Sequence, residues 1–269
     1  MPVSGAEDAV VKCVACRDGA DLDFAFDMAF QPIVDAARRS VWGYEALVRG
    51  PNGESAASVL ARLNDQNRYK FDQACRVKAI ETARARFDRP DLYLSINFLP
   101  NAVYEPAACI RATMQAAKKA DFPLSRIMFE FTEDEFIRDA AHVNAIVKAY
   151  KEFGFLTALD DFGAGYAGLS RFVETQTDLI KIDMTRIRGV EASKARRAVL
   201  RGLVVMAKDL GVELLAEGVE THEEFDVLSD MGIALFQGYL FAKPTRSALN
   251  SGAVWEQAMA RPPALAANA

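Results

Sequence analysis

Histidine is nearly absent from this chain. Only His142 and His222 occur in 269 residues, and both fall in stretches of helical or loop character, so a zinc centre built on imidazole has too little material. Cysteine is also sparse. Four in a chain of this length do not make a disulfide scaffold, and in a reducing cytosol they are expected as thiols. The pair Cys13 and Cys16, in "CVAC", has the spacing of half a zinc site or a redox pair, but no second pair accompanies it, and Cys75 and Cys109 stand alone on expected helices. No run approaches the roughly 18 apolar residues of a membrane span, and the start of the chain lacks the basic and apolar regions of a signal peptide. The expected location is therefore cytoplasmic, with no membrane partner. There is no excess of basic charge either: 32 Lys and Arg against 37 acids, net -5, give no footprint for a nucleic acid polymer, while leaving a small charged ligand open. Nor is there a phosphate-cradling loop. Gly163 and Gly165 lack a G-x-G-x-x-G context or a Walker lysine, and read as backbone freedom in a turn.

What the chain does have is apolar substance in short, regular instalments. Hydrophobic residues make up 51% of it, enough for one large core. Eight β-rich runs, "MAFQPIV", "WGYEALV", "LYLSINF", "RIMFEFT", "LTALDDF", "LIKID", "ELLAEGV" and "ALFQGYLF", alternate with longer helical stretches such as Ser193 to Leu210. That alternation predicts an α/β fold of the (β/α)8 TIM-barrel type. One link is too short for a parallel crossover: only "DAARRS" separates the first two runs, so the barrel is predicted to start with an antiparallel hairpin. Two helices, "AASVLARLNDQN" and "FDQACRVKAIETARARF", are expected before the third strand. The predicted division is an N-terminal segment of little regular structure over 1–22, the barrel over 23–260 and a flexible tail over 261–269.

Polar residues recur near the ends of these runs: Glu45, Asn97, Glu130, Asp160 with Asp161, Lys181, Glu217 and Gln237. In a barrel such positions face the C-terminal mouth. Carboxylates from several strands would repel one another there and suffer from burial unless a positive charge sat among them. A divalent cation meets that need and explains why Asp160 and Asp161 tolerate adjacency. An oxygen-rich set suits Mg²⁺ or Mn²⁺ better than zinc, and two such ions side by side would be equipped for phosphodiester hydrolysis. Taken singly, each residue has a plainer reading: a strand-end acid as a helix cap, Lys181 as a partner of Asp183 or Asp178, Asn97 as a buried amide. Glu220 and Asp183 are pocket residues or scaffold partners, and stay outside the central set.

The ordered series "EALVRG", "SINF", "FEFTE", "DDFGAGY", "KID", "AEGVE" and "QGYLFAKP" resembles the EAL domain family of cyclic di-GMP phosphodiesterases, over roughly Phe26 to Thr245. The resemblance implies that Glu45, Asn97, Glu130 and Asp160 hold a first metal and that Asp160 and Asp161 hold a second. It implies that Lys181 orients the attacking water, and that Glu217 assists proton transfer or second-metal coordination; which of the two is the general base stays open. Leu47, Arg49 and Gln237 are implied to contact substrate, and Glu133 to anchor the loop after the fifth strand. Departures from the family pattern are small: Phe131 replaces a smaller aliphatic residue, and "GAGYAG" carries alanines where Thr and Ser are usual.

The activity so implied is hydrolysis of cyclic di-GMP to linear 5'-pGpG by metal-activated water, in a bacterial signalling enzyme that forms a homodimer; its input is expected through the N-terminal segment, a regulatory protein partner, dimer rearrangement or substrate level. Two other readings differ in class. A catalytically silent EAL module would bind cyclic di-GMP or a protein, but silent members are expected to lose acids and none is missing here. An unrelated Mg²⁺-dependent barrel acting on a carboxylate substrate fits the acids and lysine, not the ordered motifs.

Overall fold

A computed structural model describes residues 22–99, 103, 109–132, 140–163 and 176–260. Eight strands close a barrel in sequence order: β1 (Asp27–Asp35), β2 (Ser40–Arg49), β3 (Tyr93–Asn97), β4 (Ile127–Thr132), β5 (Leu156–Phe162), β6 (Leu179–Ile182), β7 (Glu213–Ala216) and β8 (Leu235–Gln237). Strands β2 to β8 run parallel, whereas β1 is antiparallel to both of its neighbours, β2 and β8. The physical cause is the one the short link dictates: a turn over 36–39 returns the chain at once, leaving no length for a crossover helix.

Among the described residues the α-helices are α1 (Ala56–Leu60), α2 (Arg68–Arg86), α3 (Arg111–Lys119), α4 (Ala140–Glu152), α5 (Met184–Ile187), α6 (Lys194–Leu210), α7 (His222–Asp230) and α8 (Ser251–Met259). The helix expected over "AASVLARLNDQN" stops at Leu60. Beyond it the Asn64 side chain accepts from the Gln66 and Asn67 amides, and Asn67 accepts from the Asn64 amide and donates to the Arg62 carbonyl, so side-chain turns displace the helical ladder. The second helix starts earlier than expected, at Arg68. Helix α6 is bounded as its sequence suggests: the Ser193 hydroxyl accepts from the Arg196 amide, and Gly211 ends it in the left-handed region at φ 69°. No helix among the described residues is long and apolar enough to cross a membrane.

Two apolar layers hold the barrel. Outside the strands, residues such as Phe30, Phe98, Phe129 and Tyr150 pack against the helices. Inside, Ile33, Met128, Ala158, Leu179, Leu215 and Leu235 form a floor. That floor matters for function, because it fixes which residues stand above it.

Candidate metal centre at the barrel mouth

Side chains alternate along a strand, so the residue two positions after a floor residue also points inward, one layer nearer the C-terminal mouth. From Met128 this gives Glu130, from Ala158 Asp160, from Leu179 Lys181, from Leu215 Glu217 and from Leu235 Gln237. On β2 and β3 the corresponding residues are Glu45 and Asn97; Asn97 is paired with Glu130 in the ladder. Strand β1 runs the other way, so its mouth residue precedes its floor residue Ile33. That residue is Gln31, opposite Glu45 in the register. Sequence reading missed it; the signal was available in the hairpin, since reversing one strand reverses the direction of counting.

Asp161 breaks the alternation. In a regular strand it would point away from Asp160, but its backbone adopts φ 55°, in the left-handed region that Asp tolerates better than most residues. The pairing of β5 with β6 shifts register at this point. The Asp161 amide donates to Asp160 Oδ1 at 2.9 Å. As a result ligand oxygens of Asp160, Asp161 and Glu217 all lie within 4.8 Å of one another. The adjacency of the two aspartates is thus a local kink that turns both carboxylates to one place.

Lys181 occupies the centre. Its Nζ lies 2.7 Å from Glu217 Oε1, 2.8 Å from Glu130 Oε2, 3.1 Å from Asp160 Oδ1 and 3.8 Å from Glu45 Oε2. Burial alone would push its proton affinity down, but Asp160, Glu130, Glu217 and Glu45 together hold it well above the ordinary lysine range. The acids move in the opposite sense. Burial, reinforced by Glu45 and Asp160 and opposed by Lys181, pushes Glu130 up to about 8. Burial and the like charges of Asp160 and Asp183 push Asp161 up to about 6, and burial with neighbouring acids pushes Glu217 well above the usual carboxylate range.

One ammonium does not balance this set. Glu45, Glu130, Asp160, Asp161 and Glu217 bring five carboxylates to one mouth, against Lys181 as the cation in contact with four of them. Glu130 is fully buried, and its Oε1 has no hydrogen-bond partner among the described residues. Two amide donors tie down Glu45: Asn97 Nδ2 to Oε1 and Gln237 Nε2 to Oε2, both at 2.7 Å. With its nitrogen held there, Asn97 has a carbonyl oxygen to offer a cation, at a position open to solvent. A crowd of hard oxygen donors, excess negative charge and an orphaned buried carboxylate oxygen fit divalent cations such as Mg²⁺ or Mn²⁺.

The remaining residues fall at the rim or outside it. Gln237 Nε2 also meets Gln31 Oε1 at 3.2 Å, and Gln31 Nε2 donates to the Ala242 carbonyl, so the two glutamines brace each other beneath Glu45. Leu47 lines a mainly apolar cavity of about 360 Å³ that opens beside Glu45, Asn97 and Glu130. Arg49 ends β2 on the same alternation as Glu45 and Leu47, with its guanidinium on the Val48 carbonyl at 2.7 Å rather than on the carboxylates. The scaffold reading fits Asp183, which caps α5 through the Thr185 amide and hydroxyl, and Glu220, which pairs with Arg188 at 2.8 Å. Asp178 is engaged by Thr157 and Lys151, not by Lys181. His222 opens α7, and His142 lies in α4. Cys75 and Cys109 are buried and neither is in a disulfide. Glu133, Gly165, Cys13 and Cys16 lie outside the described residues.

A family model described as EAL domain matches residues 22–244. Among curated proteins, the blue light- and temperature-regulated antirepressor BluF of Escherichia coli (strain K12) is 33% identical over 80% of this chain and 53% of its own length. The cyclic di-GMP phosphodiesterase PA2567 of Pseudomonas aeruginosa is 31% identical over 81% of this chain and 38% of its own. The chain thus spans about half or less of the length of these relatives. Among solved structures, a standalone versatile EAL protein from Vibrio cholerae O395 in its c-di-GMP-bound form superposes with a TM-score of 0.82 at 51% identity, covering 86% of this chain and 97% of that one. Klebsiella pneumoniae BlrP1 in a manganese and cy-diGMP complex gives a TM-score of 0.77 at 35% identity, covering 84% and 57%.

Proposed function

The chain belongs to the EAL domain family, and from that membership we propose that it is a phosphodiesterase that hydrolyses cyclic di-GMP to linear 5'-pGpG with the help of two Mg²⁺ or Mn²⁺ ions. The observation that carries the proposal is the complete acid set at the mouth, with five carboxylates, one central lysine and an orphaned oxygen on Glu130. Glu45, Asn97, Glu130 and Asp160 would hold the first ion, and Asp160 and Asp161 the second. When bound, the ions supply Lewis acidity toward the phosphate and lower the pKa of water.

The chain's own residues do the rest. Lys181, kept charged by the acids around it, stabilises negative charge as water attacks phosphorus. Glu217, gathered with Asp160 and Asp161, joins the second-cation end of the site. Gln237 and Asn97 hold the Glu45 carboxylate in one orientation. Leu47 and Arg49 line the approach from β2, the arginine as a partner for a substrate phosphate. Glu133 is assigned to anchoring the loop after β5.

A homodimer accompanies this reading. The outward face of α6 presents Ala195, Val199, Gly202 and Val205 at helical spacing, with Val199 69% and Val205 59% exposed, an apolar stripe suited to a two-fold partner. The proposed setting is the cytoplasm, with a regulatory protein as a further partner.

The test is chromatographic product analysis of cyclic di-GMP incubated with the protein and Mn²⁺, with and without EDTA. The linear dinucleotide should form only without chelator. A second reading is favoured by one observation, that a relative 33% identical is named an antirepressor. Tight binding of cyclic di-GMP with no product under any divalent ion would establish that regulatory module instead.

A further inference from the structure

The ladder between β3 and β4 ends at the site. Asn97 is the last paired residue, opposite Glu130, and the Phe98 amide makes the final strand-to-strand bond, to the Glu130 carbonyl at 3.1 Å. The next amide, Leu99, has left the ladder and meets a side chain from α2: it donates to Asp72 Oδ1 at 3.0 Å. Asp72 is almost fully buried and is held by Arg76, one helical turn on, whose Nη2 lies 2.7 Å from Asp72 Oδ2. Arg76 is itself buried; its Nε returns to the Asp72 carbonyl and its Nη1 reaches the Tyr150 hydroxyl on α4, at 3.4 Å each. The Tyr150 ring then packs on Phe98 and Phe129, with centroids 5.5 and 4.9 Å apart.

A buried ion pair is a poor device for stability alone, because the loss of hydration offsets most of the attraction. Here its position gives it another use. Phe98 is gripped on the outside of the barrel by Tyr150, and Leu99 is gripped by Asp72, so the two residues after Asn97 are both fixed from behind. Alternation along the strand then fixes Asn97 facing inward, where its amide orients Glu45. We propose that Asp72 and Arg76 are positioning residues: a clamp from α2 to the end of β3 that sets the Asn97 amide and, through it, the geometry of the first cation site. This rests on the metal reading above, and neither residue touches the reacting atoms.

The test separates the clamp from the charge. Two double variants remove the ion pair equally: Asp72→Asn with Arg76→Met keeps an oxygen acceptor for the Leu99 amide, and Asp72→Leu with Arg76→Met does not. Replacing a buried pair by apolar residues of similar volume tends to leave a fold intact, and Asp72→Ala with Arg76→Met serves where leucine does not fit. Mn²⁺ affinity by calorimetry and hydrogen exchange of the Leu99 amide by NMR are measured on all of them. The Asn variant should bind Mn²⁺ within about twofold of wild type, and the Leu variant about tenfold more weakly, as for lost outer-shell partners, with the Leu99 amide exchanging faster only in the latter. Equal Mn²⁺ affinity in the two variants, whether unchanged or equally lost, or a Leu99 amide still protected in the Leu variant, would overturn the proposal. A wild type that takes up no Mn²⁺ removes the metal reading and the clamp's purpose with it, an outcome distinct from a wild type that binds and variants that follow it.

Discussion

Lys181 stands where Glu45, Glu130, Asp160 and Glu217 would otherwise face one another across a buried space. Its replacement by methionine leaves the Asp160 and Glu45 carboxylates facing the other acids with no cation between them. In EDTA, Lys181→Met should destabilise the protein by about 3–5 kcal/mol, the scale for breaking a buried pair from one side; urea unfolding measures it, and Mn²⁺ should recover part of the loss. With Mn²⁺ present, kcat should fall by about 10²–10³, the scale for removing one preorganised charge stabiliser. The acids predict a pH dependence with a definite sign. Glu130 titrates at about 8 instead of 4.5, and Asp161 at about 6 instead of 3.8. Between the two values of each group the folded, metal-free chain holds a proton that the unfolded chain has released. Stability contributed by these protons is therefore complete at low pH and lost as pH rises toward 8. Urea midpoints in EDTA should fall from pH 5 to pH 8, while the gain from added Mn²⁺ widens over the same interval; a flat EDTA profile would count against the charge crowding.

Single residues were legible to unequal degrees, for a physical reason. Glu130, Asp160, Lys181 and Glu217 each interrupt an apolar run on a strand whose direction is known, so counting by two from a buried neighbour finds them. Gln31 escaped because β1 is reversed. Asp72 and Arg76 escaped because a polar pair four apart on a helix reads as a solvated face, and only the packing of α2 against α3, with Tyr150 of α4 over Arg76, shows that it is enclosed.

At the scale of elements, the eight strands and the antiparallel opening hairpin could be read from apolar runs and one short link, since both depend on local chain geometry. The length of α1 could not: nothing in "AASVLARLNDQN" forbids a longer helix until Asn64 and Asn67 are seen bonding the backbone. The contact between the loops after β7 and β8 was equally hidden. A Cβ on Gly238 would overlap the Val219 carbonyl oxygen, so these two backbones touch because one of them carries no side chain. Gly238 follows Gln237, and Val219 lies two residues beyond Glu217. Gly238→Ala should therefore push the two loops apart, costing about 1–3 kcal/mol of stability and lowering kcat alongside it. A variant with wild-type unfolding midpoint and turnover would show that the loops have room to yield.

For the whole molecule, the exposed apolar stripe on α6 predicts association. Val199→Glu with Val205→Glu should convert a dimer to a monomer in sedimentation velocity without lowering the thermal midpoint of the barrel by more than a few degrees, because both side chains face outward. A wild type that sediments as a monomer at micromolar concentration would remove the stripe's assigned role. The closed barrel concentrates charge: it brings five acids from four strands, β2, β4, β5 and the end of β7, to one mouth, with one lysine among the described residues in contact with four of them. The most direct test is anomalous diffraction from a crystal of the protein soaked in Mn²⁺. Two manganese peaks are expected at the mouth, one coordinated by Glu45, Asn97, Glu130 and Asp160 and one by Asp160 and Asp161; a mouth without an anomalous peak, with Lys181 still bonded to the acids, would contradict the metal reading.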